Sequence, residues 1–212
     1  MNYNDFKNKI AHLKAHELGG LKAQFNLAPK QRLKYDAALI RASNPRKAAV
    51  LALFYPNDQQ KMCFLLTQRA RYKGTHSAQI SFPGGKSDSI DTNLQATALR
   101  ETFEEVGVPE KTIKIIRELT DVFIPPSNFL ATPFLGFIDK KPSFNLNYEV
   151  DKTIEVLLSD LLDETSISNI TVNTSYMNNI EVPCFKLNNY VVWGATAMML
   201  SEIKELFKAP LS

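Results

Sequence analysis

Three glutamates, Glu101, Glu104 and Glu105, stand at positions i, i+3 and i+4 of one run. That spacing puts all three carboxylates on one face of a helix. A solvated helix face normally mixes signs, because opposite charges four residues apart help and like charges cost. Two carboxylates about 4 Å apart repel by roughly 4 kcal/mol at an effective dielectric of 20. A bound cation offsets that repulsion, and a donor set made only of carboxylate oxygens suits a hard ion, Mg²⁺ or Mn²⁺, rather than zinc. In isolation, the same three residues also fit the acidic, solvated side of a surface helix.

The flanking residues say how such a helix would be held. Phe82-Pro83-Gly84-Gly85 forms a turn ahead of it, and Asp91 or Thr92 can cap its N-terminus. Ala96, Leu99, Phe103 and Val106 fall opposite the glutamates and are expected to face the core, and Gly107 can end the helix.

Residues 84–108 resemble the Nudix box, in which a glycine is followed at fixed spacing by Arg-Glu-x-x-Glu-Glu-x-Gly. Gly85, Arg100, Glu101, Glu104, Glu105, Gly107 and Val108 match it. There are three departures. One extra residue lies between Gly85 and Arg100, Asp91 or Thr92 replaces the usual first glutamate, and Thr102 occupies an apolar position. Leu65 through Gly85 resembles a second signature, that of the coenzyme A pyrophosphatase branch of the same family. Leu65-Leu66-Thr67-Gln68-Arg69, His76, Gln79 and Phe82-Pro83-Gly84-Gly85 match in register, while Ala70 and Ala78 depart from it. The extra residue in the box is itself a feature of that branch.

The resemblance implies an α/β fold, an α/β/α sandwich around a mixed sheet. It implies hydrolysis of a nucleoside diphosphate linked to another group. For this branch that means cutting coenzyme A or its derivatives to 3′,5′-ADP and 4′-phosphopantetheine compounds. Glu101, Glu104 and Glu105 would hold Mg²⁺ or Mn²⁺ with help from the Gly84 carbonyl, and such ions offset diphosphate charge and activate water. Arg100 would orient the acidic cluster. Glu101 and Glu149 are both candidates for the general base. Arg69, Arg71, Lys73 and His76, with Gly85 beside them, would receive phosphates, although a solvated basic loop fits the same residues. Other nucleoside diphosphate derivatives (ADP-ribose, a dinucleotide, a nucleoside triphosphate) are alternative substrates. A nucleotide-binding module without turnover is the alternative of a different class, kept open by the Asp91/Thr92 position.

Composition narrows the partners. A chain of 212 residues with 44% hydrophobic and 22% charged residues can bury one substantial core. A net charge of +3 is too small to argue for nucleic acid. No apolar run reaches the length of a membrane span, and the mixed start Met1-Asn-Tyr-Asn-Asp-Phe-Lys does not read as a signal peptide. Cys63 and Cys184 sit in apolar runs, as core thiols of a cytoplasmic protein would.

Residues 1–44 read as an N-terminal helical extension and residues 45–212 as the catalytic domain. Residues 3–21 are expected to form a helix with Phe6, Ile10, Leu13 and Leu21 inward, packed on that domain or on a second subunit as a homodimer. His12 and His16 stand four apart, but no third ligand accompanies them. The runs 48–55 and 62–67 read as a hairpin, 112–122 and 130–138 as strands, and 169–187 as a second hairpin with Pro183 on an edge strand. Trp193 and the stripe Leu200, Ile203 and Leu206 read as core of a last helix.

Overall fold

The computed structural model describes residues 1–70, 79–173 and 179–210. Its centre is β1 (Arg46–Pro56), the expected apolar run lengthened at both ends. Side chains alternate between the faces of a strand, and both faces of this one are buried. Ala49, Leu51, Leu53 and Tyr55 pack on one side with Ala98 and Val106. Ala48, Ala52 and Phe54 join a larger cluster on the other. A strand covered on both sides needs a continuous apolar run rather than an alternating one.

β2 (Met62–Arg69) pairs antiparallel with the end of β1, Phe54 opposite Phe64, as the hairpin pattern predicts. β3 (Ile80–Ser81) stays beside β2, whereas β4 (Gly84–Lys86) pairs with the beginning of β1, Val50 opposite Gly84. The glycine turn is thereby placed on the central strand. β5 (Lys114–Glu118) and β6 (Val122–Ile124) pair with opposite ends of β7 (Phe129–Phe137), which runs parallel to β1. The single strand expected over 112–122 is therefore two. Thr120 breaks it, giving its backbone N–H and hydroxyl to the buried Glu202 carboxylate instead of to a ladder. β8 (Val150–Leu157) adds to β2, so that eight of the described strands make one mixed sheet.

Helix α4 (Leu94–Val106) lies over one face of the sheet. Helix α6 (Gly194–Lys208) covers the other, Leu200, Ile203 and Leu206 inward as expected. Two N-terminal helices, α1 (Tyr3–Ala15) and α2 (Gly20–Phe25), join α6 on that face. The expected helix over 3–21 is broken, because His16 is extended and Gly20 has φ +59°. Leu21 consequently lies 52% exposed rather than inside. The Phe6 ring stacks 5.8 Å from Phe54 and 5.9 Å from Phe207, so α1 packs on its own chain's core. The short helices α3 (Ala37–Ala42) and α5 (Leu158–Leu162) are connectors. The result is the expected α/β/α sandwich.

β9 (Ile167–Val172), β10 (Ile180–Leu187) and β11 (Tyr190–Trp193) form a second sheet with β10 in the middle. Pro183 therefore does not mark an edge strand. It sits opposite Asn169, one residue before the stretch Cys184–Leu187 where β11 pairs, so its missing N–H interrupts no bond on that side. Cys63 and Cys184 are buried and unbridged. Among the described residues, no helix is long and apolar enough to cross a membrane.

Candidate active site

Helix α4 begins at Asn93, not at Asp91 or Thr92: the Asn93 side chain accepts from the Ala96 N–H at 2.9 Å. It ends at Gly107, whose φ of +75° is the left-handed cap that the sequence predicts. Its buried stripe is rotated from the expected one. Thr97, Ala98, Thr102, Glu105 and Val106 face the sheet, while Phe103 is 50% exposed. Thr102 is tolerated inside because its hydroxyl donates to the Ala98 carbonyl at 2.7 Å.

The rotation follows from Glu105. Its carboxylate accepts the Gly84 N–H at 3.1 Å, which fixes α4 against the glycine turn. The three glutamates are thus graded rather than equally solvated, with side-chain exposures of 6% for Glu105, 18% for Glu101 and 50% for Glu104. Burial pushes the Glu105 carboxyl up to about 7, against the pull of the Gly84 N–H and Arg69. Burial also raises the Glu101 carboxyl, with Arg100 opposing. A carboxylate so desolvated is a strong seat for a cation.

Gly84 and Gly85 make the close approach feasible. A Cβ on Gly84 would lie 2.3 Å from the Ala49 carbonyl oxygen, at a φ of +152°. A Cβ on Gly85 would lie 2.5 Å from the Glu101 carboxylate. The turn is bare so that the acids can reach it.

Arg100 binds the cluster together. Its Nη1 donates to Glu101 at 2.9 Å and to Glu104 at 3.1 Å. Its Nε and Nη2 grip the two Asp91 oxygens at 2.8 and 2.9 Å. Asp91 also accepts from the Thr97 hydroxyl and the Asp88 N–H, both at 2.8 Å. Asp91, 3% exposed, therefore does structural work at the place of the box's usual first glutamate.

Glu149 reaches the same place from a loop. Asn145 and Asn147 give their N–H groups to the Val106 and Glu105 carbonyls, strapping the loop to the end of α4. Ala70 N–H bonds the Glu149 carbonyl at 2.8 Å. Arg69 joins the Glu149 carboxylate at 2.8 Å and lies 3.9 Å from Glu105. Of the basic segment, Arg71, Lys73 and His76 lie outside the described residues.

The box acids and Glu149 offer only oxygen donors, which is the donor chemistry of a hard divalent ion. Among the described residues, no three His, Cys, Asp or Glu side chains converge as a finished metal centre. Arginines 69 and 100 face the carboxylates instead. His12 and His16 lie with ring centroids 4.6 Å apart on α1, and no third ligand joins them.

Beside the turn opens a cavity of about 500 Å³, lined at one point by Gly84, Gly85 and Lys86. Lys34, Tyr35, Phe129 and Trp193 also line it. The Thr196 hydroxyl donates to the Ile80 carbonyl at 3.1 Å, holding the start of α6 at its wall. Gly84 and Gly85 are site residues by sequence, whereas Lys34, Tyr35, Phe129, Trp193 and Thr196 carry no such signal. Trp193, read there as core, is half-buried at the cavity surface. Only the topology joins segments 100 residues and more apart, and no local spacing could have signalled it.

A box of this pattern, folded on a helix against a glycine turn within an α/β/α sandwich, defines a Nudix hydrolase. The NUDIX domain model matches residues 45–168, and the chain belongs to that family. Among relatives, it is 31% identical to the Nudix hydrolase NudL of Photorhabdus laumondii, over 77% of this chain and 86% of that one. It is 29% identical to the peroxisomal coenzyme A diphosphatase ndx-8 of Caenorhabditis elegans, over 80% of this chain and 72% of that one. Among solved structures, the Nudix hydrolase RenU of M. smegmatis superposes with a TM-score of 0.55 at 17% identity, over 79% of this chain and 89% of that one, a likeness of fold.

Proposed function

We propose that the protein hydrolyses the pyrophosphate bond of coenzyme A or its derivatives, with a divalent metal ion, to 3′,5′-ADP and 4′-phosphopantetheine products. The observation that carries the chemistry is the desolvated Glu101–Glu105 pair set against the bare Gly84–Gly85 turn at the cavity. Support for the substrate comes from the Leu65–Gly85 signature and from similarity to a relative named as a coenzyme A diphosphatase.

Glu101, Glu104 and Glu105, with the Gly84 carbonyl, are the residues that would hold Mg²⁺ or Mn²⁺. Such an ion supplies Lewis acidity toward the diphosphate and toward water. The chain's own part is placement and proton transfer. Water attacks one phosphorus, the bridging P–O bond breaks with its electron pair leaving on the other phosphate, and a carboxylate takes the water's proton. Glu101 and Glu149 are the candidates for that proton, Glu149 because its loop holds it beside the cluster. Arg100 positions the acids through Asp91 and does not touch substrate. Arg69, Arg71, Lys73 and His76 are the residues of this chain that would meet substrate phosphates. A cytoplasmic site suits the unbridged thiols.

A substrate panel tests the assignment: coenzyme A, ADP-ribose, a diadenosine polyphosphate and a nucleoside triphosphate, compared by kcat/KM. Coenzyme A or an acyl derivative is expected to lead. A tenfold or greater preference for one of the others would move the protein to a different substrate within the family.

A further inference from the structure

The charge on the cavity wall is one-sided. Arg32, Lys34, Arg69 and Lys86 line it, and among the described residues no aspartate or glutamate does. The carboxylates of Glu101 and Glu105 meet the Gly84–Gly85 turn but are not among the lining residues. Of these cations, Arg69 is engaged with Glu149 and Arg32 donates to the Phe123 carbonyl. Lys34 forms no salt bridge among the described residues, and its ammonium lies 5.4 Å from the centroid of the Tyr35 ring. That ring meets Phe123 edge-on at 5.4 Å, and the Arg32 bond is made to the same residue. The segment carrying Lys34 is therefore moored to β6, and its charge is held at the cavity rather than adrift. The segment also lies upstream of residues 45–168, the part that matches the family. The box and the Lys34 part of the lining thus come from different parts of the chain.

A largely apolar cavity whose described lining carries cations and no acid selects a ligand with an apolar or planar body and more than one anionic group. The diphosphate supplies one such group, next to Lys86 and the glycine turn. Lys34 lines the same cavity from a separate segment of the chain and calls for a second.

We propose that Lys34 is a specificity-determining residue, which contacts a further phosphate carried by the nucleotide half of the substrate. This rests on the proposed function, with the cavity beside the glycine turn taking the nucleotide half. It assigns to the segment upstream of the family match the choice between nucleotides with and without an extra phosphate. A charge-assisted contact of this kind is roughly twice as strong as a neutral one.

Trp193, the chain's only tryptophan, lines the cavity, so its fluorescence reports occupancy without any need for turnover. Wild type, Lys34→Ala and Lys34→Arg are titrated with adenosine 3′,5′-bisphosphate and with adenosine 5′-monophosphate. Wild type is expected to prefer the bisphosphate by about tenfold, equivalent to about 1.4 kcal/mol. Lys34→Ala should bring the two affinities within about threefold of each other, and Lys34→Arg should restore the gap. Equal binding by wild type, or a preference that survives in Lys34→Ala, overturns the proposal. Lys34 is exposed, so its replacement leaves the fold intact. Absence of hydrolysis of every diphosphate derivative would remove the proposed activity, yet the titrations would still judge Lys34.

Discussion

Arg100 grips both oxygens of Asp91, at 2.8 and 2.9 Å, while its remaining nitrogen spans Glu101 and Glu104. One guanidinium thus ties the loop ahead of α4 to the acids along it. The Arg100 hydrogen bonds hold the Asp91 carboxyl well below the usual carboxylate range. A carboxyl with a depressed folded pKa contributes stability above its unfolded value of about 3.9, and loses it as pH falls toward the folded value. Asp91→Asn should therefore cost about 3 kcal/mol at pH 7, and the gap to wild type should close as pH drops from 5 toward 2. Urea midpoints across that range measure it. A gap constant with pH would mean that the ion pair contributes nothing.

Gly84 and Gly85 should respond differently to the same substitution. Gly84→Ala meets backbone at 2.3 Å and a strained φ, so it should lose about 3 kcal/mol of stability. Gly85→Ala meets a side-chain carboxylate, which can swing away. It should fold well but lose about 100-fold in kcat as Glu101 is displaced. Thermal melts beside steady-state kinetics separate the two, and equal losses of stability would contradict the assignment.

The helix, its ending glycine and its acidic triad were legible because each is a pattern within one short segment. The rotation of α4 was not, since it depends on Gly84 N–H reaching Glu105 across 21 residues. A period-based stripe gives Phe103 to the core, whereas the bond to the glycine turn brings Glu105 inward and leaves Phe103 half exposed. Asp91 read as a cap because cap and salt-bridge carboxylates look alike in sequence. Which of them it is depends on where Arg100 points. The cavity was hidden most completely, because Lys34, Phe129 and Trp193 meet only through the pairing of β1 with β7 and the docking of α6.

Glu105→Gln should stabilise the metal-free protein. The wild-type carboxylate is buried with its pKa pushed up to about 7, so at pH 8 it is held ionised at a cost that the neutral amide avoids. The amide oxygen can still accept the Gly84 N–H. A gain of about 1 kcal/mol would raise Tm by roughly 2–4 °C in a chain of this size, in EDTA at pH 8. A fall of several degrees would show that the charge itself supports the fold.

Glu149 and Glu101 can be told apart as proton acceptors. If Glu149 takes the proton, Glu149→Gln should lower kcat by about 100- to 10,000-fold with little change in metal affinity. Glu101→Gln should weaken both. Titrating Mn²⁺ binding beside kcat for each variant makes the comparison, and a Glu149→Gln enzyme with wild-type kcat removes that residue from the chemistry.

The deciding measurement is incubation of the wild-type protein with coenzyme A and Mg²⁺ or Mn²⁺, with products identified by mass. 3′,5′-ADP and 4′-phosphopantetheine should appear, vanish with EDTA, and fall by about 100-fold or more in Glu105→Gln. Turnover undiminished by EDTA, a fully active Glu105→Gln, or intact coenzyme A in the presence of either ion would contradict it.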